Sequence, residues 1–291
     1  MKPSAFEYLA PETVEEAIDL LGRYGEEAKI LAGGQSLVPI MNFRLGRPEV
    51  LIDINRIKEL DYIKEEGDEL VIGALTRERD LELSPRVQKR CPLLAKAISF
   101  IGHVPIRNRG TIGGSLVHAD PSSEIPTATC ALDAKMRVVG PSGERILGPE
   151  EFFLTYLTTS LEPSEMLVEV RVPAFPEKTG WSFTELSRRS GDFAIVGVAS
   201  ILFMEDGDLC KEARISLGGV ASTPVRAEEA EELLSGETMT ESLIDKAALE
   251  AVEVTDAESD YHASDEYRRE MARVFVRRGL REAWSSVKGG N

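Results

Sequence analysis

Leu31-Ala32-Gly33-Gly34-Gln35-Ser36 and Arg109-Gly110-Thr111-Ile112-Gly113-Gly114-Ser115 share one pattern: paired glycines between an apolar segment and a hydroxyl residue. Paired glycines let a backbone approach a ligand closely, and consecutive N–H groups in a turn form an anion-binding nest that a serine hydroxyl can complete. Each pair alone reads as an ordinary turn. Two of them, each with its serine, suit the two halves of a pyrophosphate. The other phosphate signatures are missing: no G-x-x-x-x-G-K-[ST] is present, and no G-x-G-x-x-G opens a helix after a strand.

Working outward, Thr13 with Glu16 forms a capping-box signature ahead of Val14, Ala17, Ile18 and Leu21, which predicts a helix ending near Gly25. Lys29 to Ala32 and Val50 to Ile54 read as short strands of a small parallel unit. From Glu59 the texture turns to hairpins, Leu60 to Lys64 and Leu70 to Gly73. Helices are predicted from Pro92 to Ile101 and from Glu124 to Leu132. Strands follow over Lys135 to Val139 and Met166 to Val172. Pro173-Ala174-Phe175-Pro176 marks a boundary, since prolines hold the preceding residues extended. Beyond it stand strands Phe183 to Arg188, Ala194 to Met204 and Ala213 to Gly218, then helices Val225 to Leu234, Glu241 to Val252 and Asp265 to Ala283. The class is α+β.

The charge balance, 34 Lys plus Arg against 50 Asp plus Glu, leaves −16. Such a field repels polyanions, so nucleic acid is not an expected partner. The longest apolar uncharged run, Phe193 to Met204, falls short of the roughly 20 residues of a membrane span. The opening residues lack a secretion signal, and a cytoplasmic protein is expected. Cys91, Cys130 and Cys210 are odd in number and far apart, which argues for buried thiols and against a disulfide framework or an iron–sulfur site on this chain.

Hydrolytic and metal chemistry find no support. G-x-S-x-G is absent, and His103, His118 and His262 include no H-E-x-x-H. His118-Ala119-Asp120 beside Ser115 does not form a relay if that chain is extended, because neighbours then face opposite ways. Arg107 and Arg109 read as surface ion-pair residues, and Glu228 to Glu232 as a solvated helix face. A chain with anion-cradling loops and no reacting constellation leaves its chemistry to a cofactor, supplying binding and orientation itself.

Ala32 to Pro39 with Leu51 to Asn55, then Arg109 to Ser115, then Ala119-Asp120-Pro121-Ser122-Ser123-Glu124, together resemble the FAD-binding medium subunit of molybdenum hydroxylases, the carbon monoxide dehydrogenase and xanthine dehydrogenase type. Leu186 to Ala194 and Ser216 to Pro224 resemble that family's C-terminal module, so the likeness spans nearly the whole chain. It implies a vanillyl-alcohol-oxidase-type (PCMH) FAD-binding fold over 1–175, with subdomains 1–57 and 58–175. A C-terminal α+β flavoprotein domain, an antiparallel sheet plus helices, would fill 176–291. It also implies site residues: Leu31, Ala32, Gly33, Gly34, Gln35, Ser36 and Leu37 with Thr111, Ile112, Gly113, Gly114 and Ser115 around the pyrophosphate. His118, Ala119, Ser123 and Glu124 would line the cofactor, with Glu124 toward its ribose or adenine end. Leu167 would pack by the flavin, and Phe193 would stand where an aromatic, often Tyr, lies beside the isoalloxazine. Many relatives place a Lys between the positions of Phe183 and Leu186, where this chain has Thr184 and Glu185.

The resemblance implies no metal on this chain. Molybdopterin would sit on a large partner subunit and two iron–sulfur clusters on a small one, with electrons leaving this flavoprotein for an acceptor such as a quinone or NAD. The alternatives are a stand-alone FAD-dependent oxidoreductase of the same superfamily, or a non-enzymatic assembly module. With no histidine in either glycine loop, FAD is expected to be held non-covalently. Acid precipitation should release all flavin to the supernatant; a yellow pellet would overturn this.

Overall fold

Thr13 accepts a hydrogen bond from the Glu16 N–H at 3.2 Å, and Gly25, at φ 52°, closes the helix so begun. In the computed structural model, which describes residues 2–288, this helix is α1 (Val14–Tyr24), preceded by β1 (Glu7–Leu9). β2 (Ala28–Leu31), α2 (Leu37–Asn42) and β3 (Val50–Asp53) follow. The three strands are all parallel in the order β1-β3-β2. Ala17, Ile18 and Leu21 of α1 bury against this sheet, with Leu75, Met166 and Val168 closing the cluster from the next layer.

β4 (Ile63–Glu66) and β5 (Glu69–Gly73) form the expected hairpin. A run of helices comes next: α3 (Glu78–Leu83), α4 (Pro85–Arg90), α5 (Pro92–Ile98), α6 (Val104–Arg107), α7 (Ile112–His118) and α8 (Glu124–Ala131). β6 (Lys135–Gly140), β7 (Gly143–Leu147), the short α9 (Pro149–Phe152), the pair β8 (Phe153–Thr155) and β9 (Thr158–Thr159), and β10 (Met166–Pro173) complete this layer. The five-stranded antiparallel sheet runs β4-β5-β10-β6-β7, so its last strand in sequence lies at its centre. Every residue of α8 is buried.

The C-terminal sheet, β11 (Thr179–Ser187), β12 (Ala194–Met204), β13 (Leu209–Gly218) and β14 (Val225–Arg226), precedes α10 (Glu228–Leu234), β15 (Glu237–Thr238) on the edge of β13, α11 (Glu241–Glu250) and α12 (Asp265–Lys288). Successive side chains of a strand point to opposite faces. On β12, Ala199 and Ile201 enter the core shared with α5 and α8, while Val196, Val198 and Leu202 enter the core under α10 to α12. Burial on both faces explains the unbroken apolar run of the sequence. Among the described residues no helix is long and apolar enough to cross a membrane.

Three sequence readings change. The expected helix from Val225 starts at Glu228, because Val225 and Arg226 pair with Leu217 and Ser216 and that pairing overrides local helix preference. Glu231 is no solvated residue: 8% exposed, it accepts from Arg226 Nε at 2.7 Å and from the Ile215 N–H at 2.7 Å. Arg107 is 7% exposed rather than a surface residue, donating to both Glu82 oxygens and to the Ile101 carbonyl. Residues 289–291 of the expected C-terminal unit lie outside the described residues.

Gly180 of β11 faces α12 so closely that an added Cβ would meet the Ala283 carbonyl and come within 2.8 Å of Val287 Cγ2. Gly180→Leu should lower stability by about 1–3 kcal/mol, as overpacking does. A urea midpoint equal to the parent's would contradict this packing.

Candidate cofactor site

The first glycine loop leaves β2 with Gly34 at φ 73° and ends at Ser36, the N-cap of α2. Its own bonds are few: Gln35 Nε2 donates to the Gly33 carbonyl at 3.0 Å, and the Gly34 carbonyl accepts from the Val38 N–H at 3.1 Å. Among the described residues, no protein acceptor takes the N–H groups of Gly33, Gly34, Gln35 or Ser36. Four donors in a half-buried bend, with Gln35 its exposed tip, want an anion or water.

The two loops meet. A Cβ on Gly33 would lie 2.5 Å from the Arg109 carbonyl oxygen and 2.8 Å from Gly110 Cα, and one on Gly114 would lie 3.9 Å from Ala32 Cβ. The junction is tied from behind. Asn55 Nδ2 donates to the Ala32 carbonyl at 2.8 Å, Arg77 donates to Asn55 Oδ1 at 2.7 Å, and Arg77 also donates to the Arg109 carbonyl at 2.5 Å. Asp53 Oδ1 holds Asn55 through its backbone and side-chain nitrogens, while Tyr8 donates to Asp53 Oδ2 at 2.6 Å. Asn55 entered the sequence reading only inside a longer string, and Arg77 carried no signal, since nothing in a polar run shows which cation will reach two carbonyls.

The second loop differs from the first. Gly113 and Gly114 lie within the first turn of α7, whose N-cap is Thr111. Thr111 Oγ1 accepts from the Gly114 N–H at 3.1 Å, its carbonyl from Ser115, the Thr76 carbonyl from Ile112 and the Ala74 carbonyl from Gly113. These donors are spent on folding. What the glycines supply here is proximity, for a Cβ on Gly113 would come within 2.7 Å of Ala74. The Val168 carbonyl accepts from the Ala74 N–H one step beyond the Glu169–Gly73 pair of β10 and β5 and fixes that seat. A diphosphate fits the first bend through its unspent donors, with the second as a close wall.

The remaining expected positions divide. His118 ends α7, where the chain is helical and not extended and places it one turn from Ser115 on the same face, yet among the described residues no hydrogen bond joins the two; Ala119 turns left-handed at φ 51°. Ser123 is the N-cap of α8 without a side-chain cap bond, and Glu124 opens that helix at 9% exposure. Leu167 is buried in the core at 3% exposure, whereas Phe193 is 68% exposed at the end of the β11–β12 connection. Gly191 presses that connection onto Gly102 and His103, 2.7 Å from the Gly102 carbonyl at its Cβ position. The three cysteines are buried and unpaired, and burial pushes the thiols of Cys91 and Cys130 up to about 12. Among the described residues no His, Cys, Asp and Glu group suits a metal ion.

Three carboxyls are shifted toward the neutral form. Burial raises Glu78 to about 8, against a lesser opposing pull from Arg107. Burial, then the charge of Glu185, raises Glu124 to about 8, and burial raises Glu185 to about 7. Glu78 packs where a Cβ on Gly110 would go, and its Oε2 finds no hydrogen-bond partner among the described residues. A carboxyl whose folded pKa lies above its unfolded value keeps its proton longer in the folded state, so stability falls as pH rises from the ordinary range toward 8. Glu78→Gln has no proton to lose. Its unfolding midpoint should gain on the parent progressively from pH 4.5 to 8; an offset constant across that window would refute the assignment.

Residues 4–175 match the family model described as the FAD binding domain in molybdopterin dehydrogenase, and residues 181–283 match the CO dehydrogenase flavoprotein C-terminal domain. The chain is 44% identical to the carbon monoxide dehydrogenase medium chain of Hydrogenophaga pseudoflava, with 98% of this chain and 99% of that one covered. It is 43% identical to the 6-hydroxypseudooxynicotine dehydrogenase complex subunit alpha of Paenarthrobacter nicotinovorans, covering 97% and 96%. A solved structure of the Hydrogenophaga pseudoflava carbon monoxide dehydrogenase lacking the Mo-pyranopterin moiety superposes with a TM-score of 0.96 at 45% identity, covering 98% and 99%. Matched along its length by both domains and by these relatives, the chain belongs to the family of FAD-binding medium subunits of molybdenum hydroxylases.

Proposed function

We propose that the chain is the FAD-binding electron-transfer subunit of a molybdenum hydroxylase complex. The observation that carries this is the bend at Gly33 to Ser36, with its unspent N–H donors, seated on Arg109 and Gly110 in a chain matched end to end by medium subunits. Bound FAD supplies the exchange between one-electron and two-electron carriers. The residues do the rest. Leu31 to Leu37 take the diphosphate, with Thr111 to Ser115 as the facing wall. His118, Ala119 and Ser123 continue that wall, and burial there raises the Glu124 carboxyl above the ordinary range. Leu167 supports the seat from the core, and Phe193 offers its ring to the isoalloxazine. Residues 1–175 act as the FAD-binding unit in subdomains 1–57 and 58–175, and 176–291 as the C-terminal unit.

In this reading molybdopterin sits on a large partner subunit, two iron–sulfur clusters sit on a small one, and a quinone or NAD accepts the electrons in the cytoplasm. The two relatives are named for different substrates, carbon monoxide and 6-hydroxypseudooxynicotine. A chain similar to both is the part of the machine that does not choose substrate. Gly33→Val should weaken FAD retention by about tenfold or more, since a side chain there forces the Arg109 carbonyl away. Flavin absorbance per chain reads the outcome, and parent-level content would reject the assigned loop.

A further inference from the structure

Arg268, on α12, is only 5% exposed. Its Nη1 donates to the Ile195 carbonyl at 2.7 Å and to the Gly219 carbonyl at 2.8 Å, and its Nη2 to Asp260 Oδ2 at 2.8 Å. Burying a guanidinium is costly unless its donors are met; here three separate segments take its Nη1 and Nη2 donors, while Nε finds no partner among the described residues. Each leads somewhere. Ile195 lies two residues beyond Phe193. Gly219, at φ 78°, donates its own N–H to the Pro121 carbonyl at 2.7 Å, inside the Ala119 to Glu124 segment, and a Cβ on it would come within 2.8 Å of the Ile195 carbonyl. Asp260 Oδ1 in turn accepts from the His262 and Ala263 N–H groups, closing the loop ahead of α12.

We propose that Arg268 is a positioning residue for the flavin site, setting the spacing between the Phe193 connection and the Ala119 to Glu124 segment through Ile195 and Gly219. This rests on the reading of those two segments as flavin-side. A planar fork of donors is what reaches two carbonyls and a carboxylate at once; a lysine ammonium is a point charge on a flexible stem and does not reproduce it.

The test uses the full-length chain loaded with FAD, as parent, Arg268→Lys, Phe193→Leu and the double variant. Arg268→Lys should keep the parent's FAD content yet change the visible circular dichroism of the bound flavin as Phe193→Leu does. The double variant should match Phe193→Leu, because the two changes act through one ring. Amide exchange at Gly219 should speed up by about tenfold, the loss of a charge-assisted bond. A parent-like flavin spectrum in Arg268→Lys, or effects that add in the double variant, would overturn the proposal. Failure of the parent to take up FAD would sink the flavin reading instead. Should Arg268→Lys not fold, Asp260→Asn frees the clamp from its far end and should shift the same spectrum partway; no shift would count against Arg268.

Discussion

The Arg109 carbonyl occupies the space a side chain on residue 33 would need, and the site is built around that contact. Two segments distant in sequence come together there, and both would leave backbone carbonyls stranded in a half-buried seam. Leaving a buried acceptor unmet costs about 1–3 kcal/mol. Asn55 and Arg77 remove that cost at Ala32 and Arg109 together, and Asp53 and Tyr8 hold Asn55 in turn. The glycines permit the approach and the polar bridge behind them makes it hold.

Division of labour between the loops follows from how their donors are used. The first bend forms few internal bonds and leaves its N–H groups without a protein acceptor among the described residues. The second spends its donors on Thr111, Thr76 and Ala74 and becomes a rigid wall. The same economy joins the C-terminal layer to the rest. Arg226 reaches from β14 to the Cys130 carbonyl and Asp133 at the end of α8, and the two-faced β12 carries the core across.

Much of this was legible in the sequence because the signals were local. Thr13 with Glu16 announced a cap and Gly25 a stop. The apolar Ala194 to Met204 was readable as a strand, though not as one buried on both sides. Glycine pairs with serines marked both loops, yet the first turn of α7 was hidden, since Gly-Gly reads as a break and only Thr111 as N-cap with Ala74 as seat makes it helical. Arg77, Glu78, Glu231 and Arg268 were illegible for a common reason. A charged residue looks solvated until distant backbone comes to meet it, and no spacing rule predicts that meeting.

β10 lies between β5 and β6 although it is the last of the five strands to be made. A nascent chain emerging from the ribosome must therefore keep the hairpin β4–β5 and the hairpin β6–β7 apart, each with an unpaired edge, until Met166 to Pro173 arrives to zip them together. Non-local pairing of this kind folds slowly, and open edges invite self-association. Because that same strand holds Ala74 beneath α7 through the Val168 carbonyl, the seat of the second loop is completed late in biosynthesis, after the central zipper has closed.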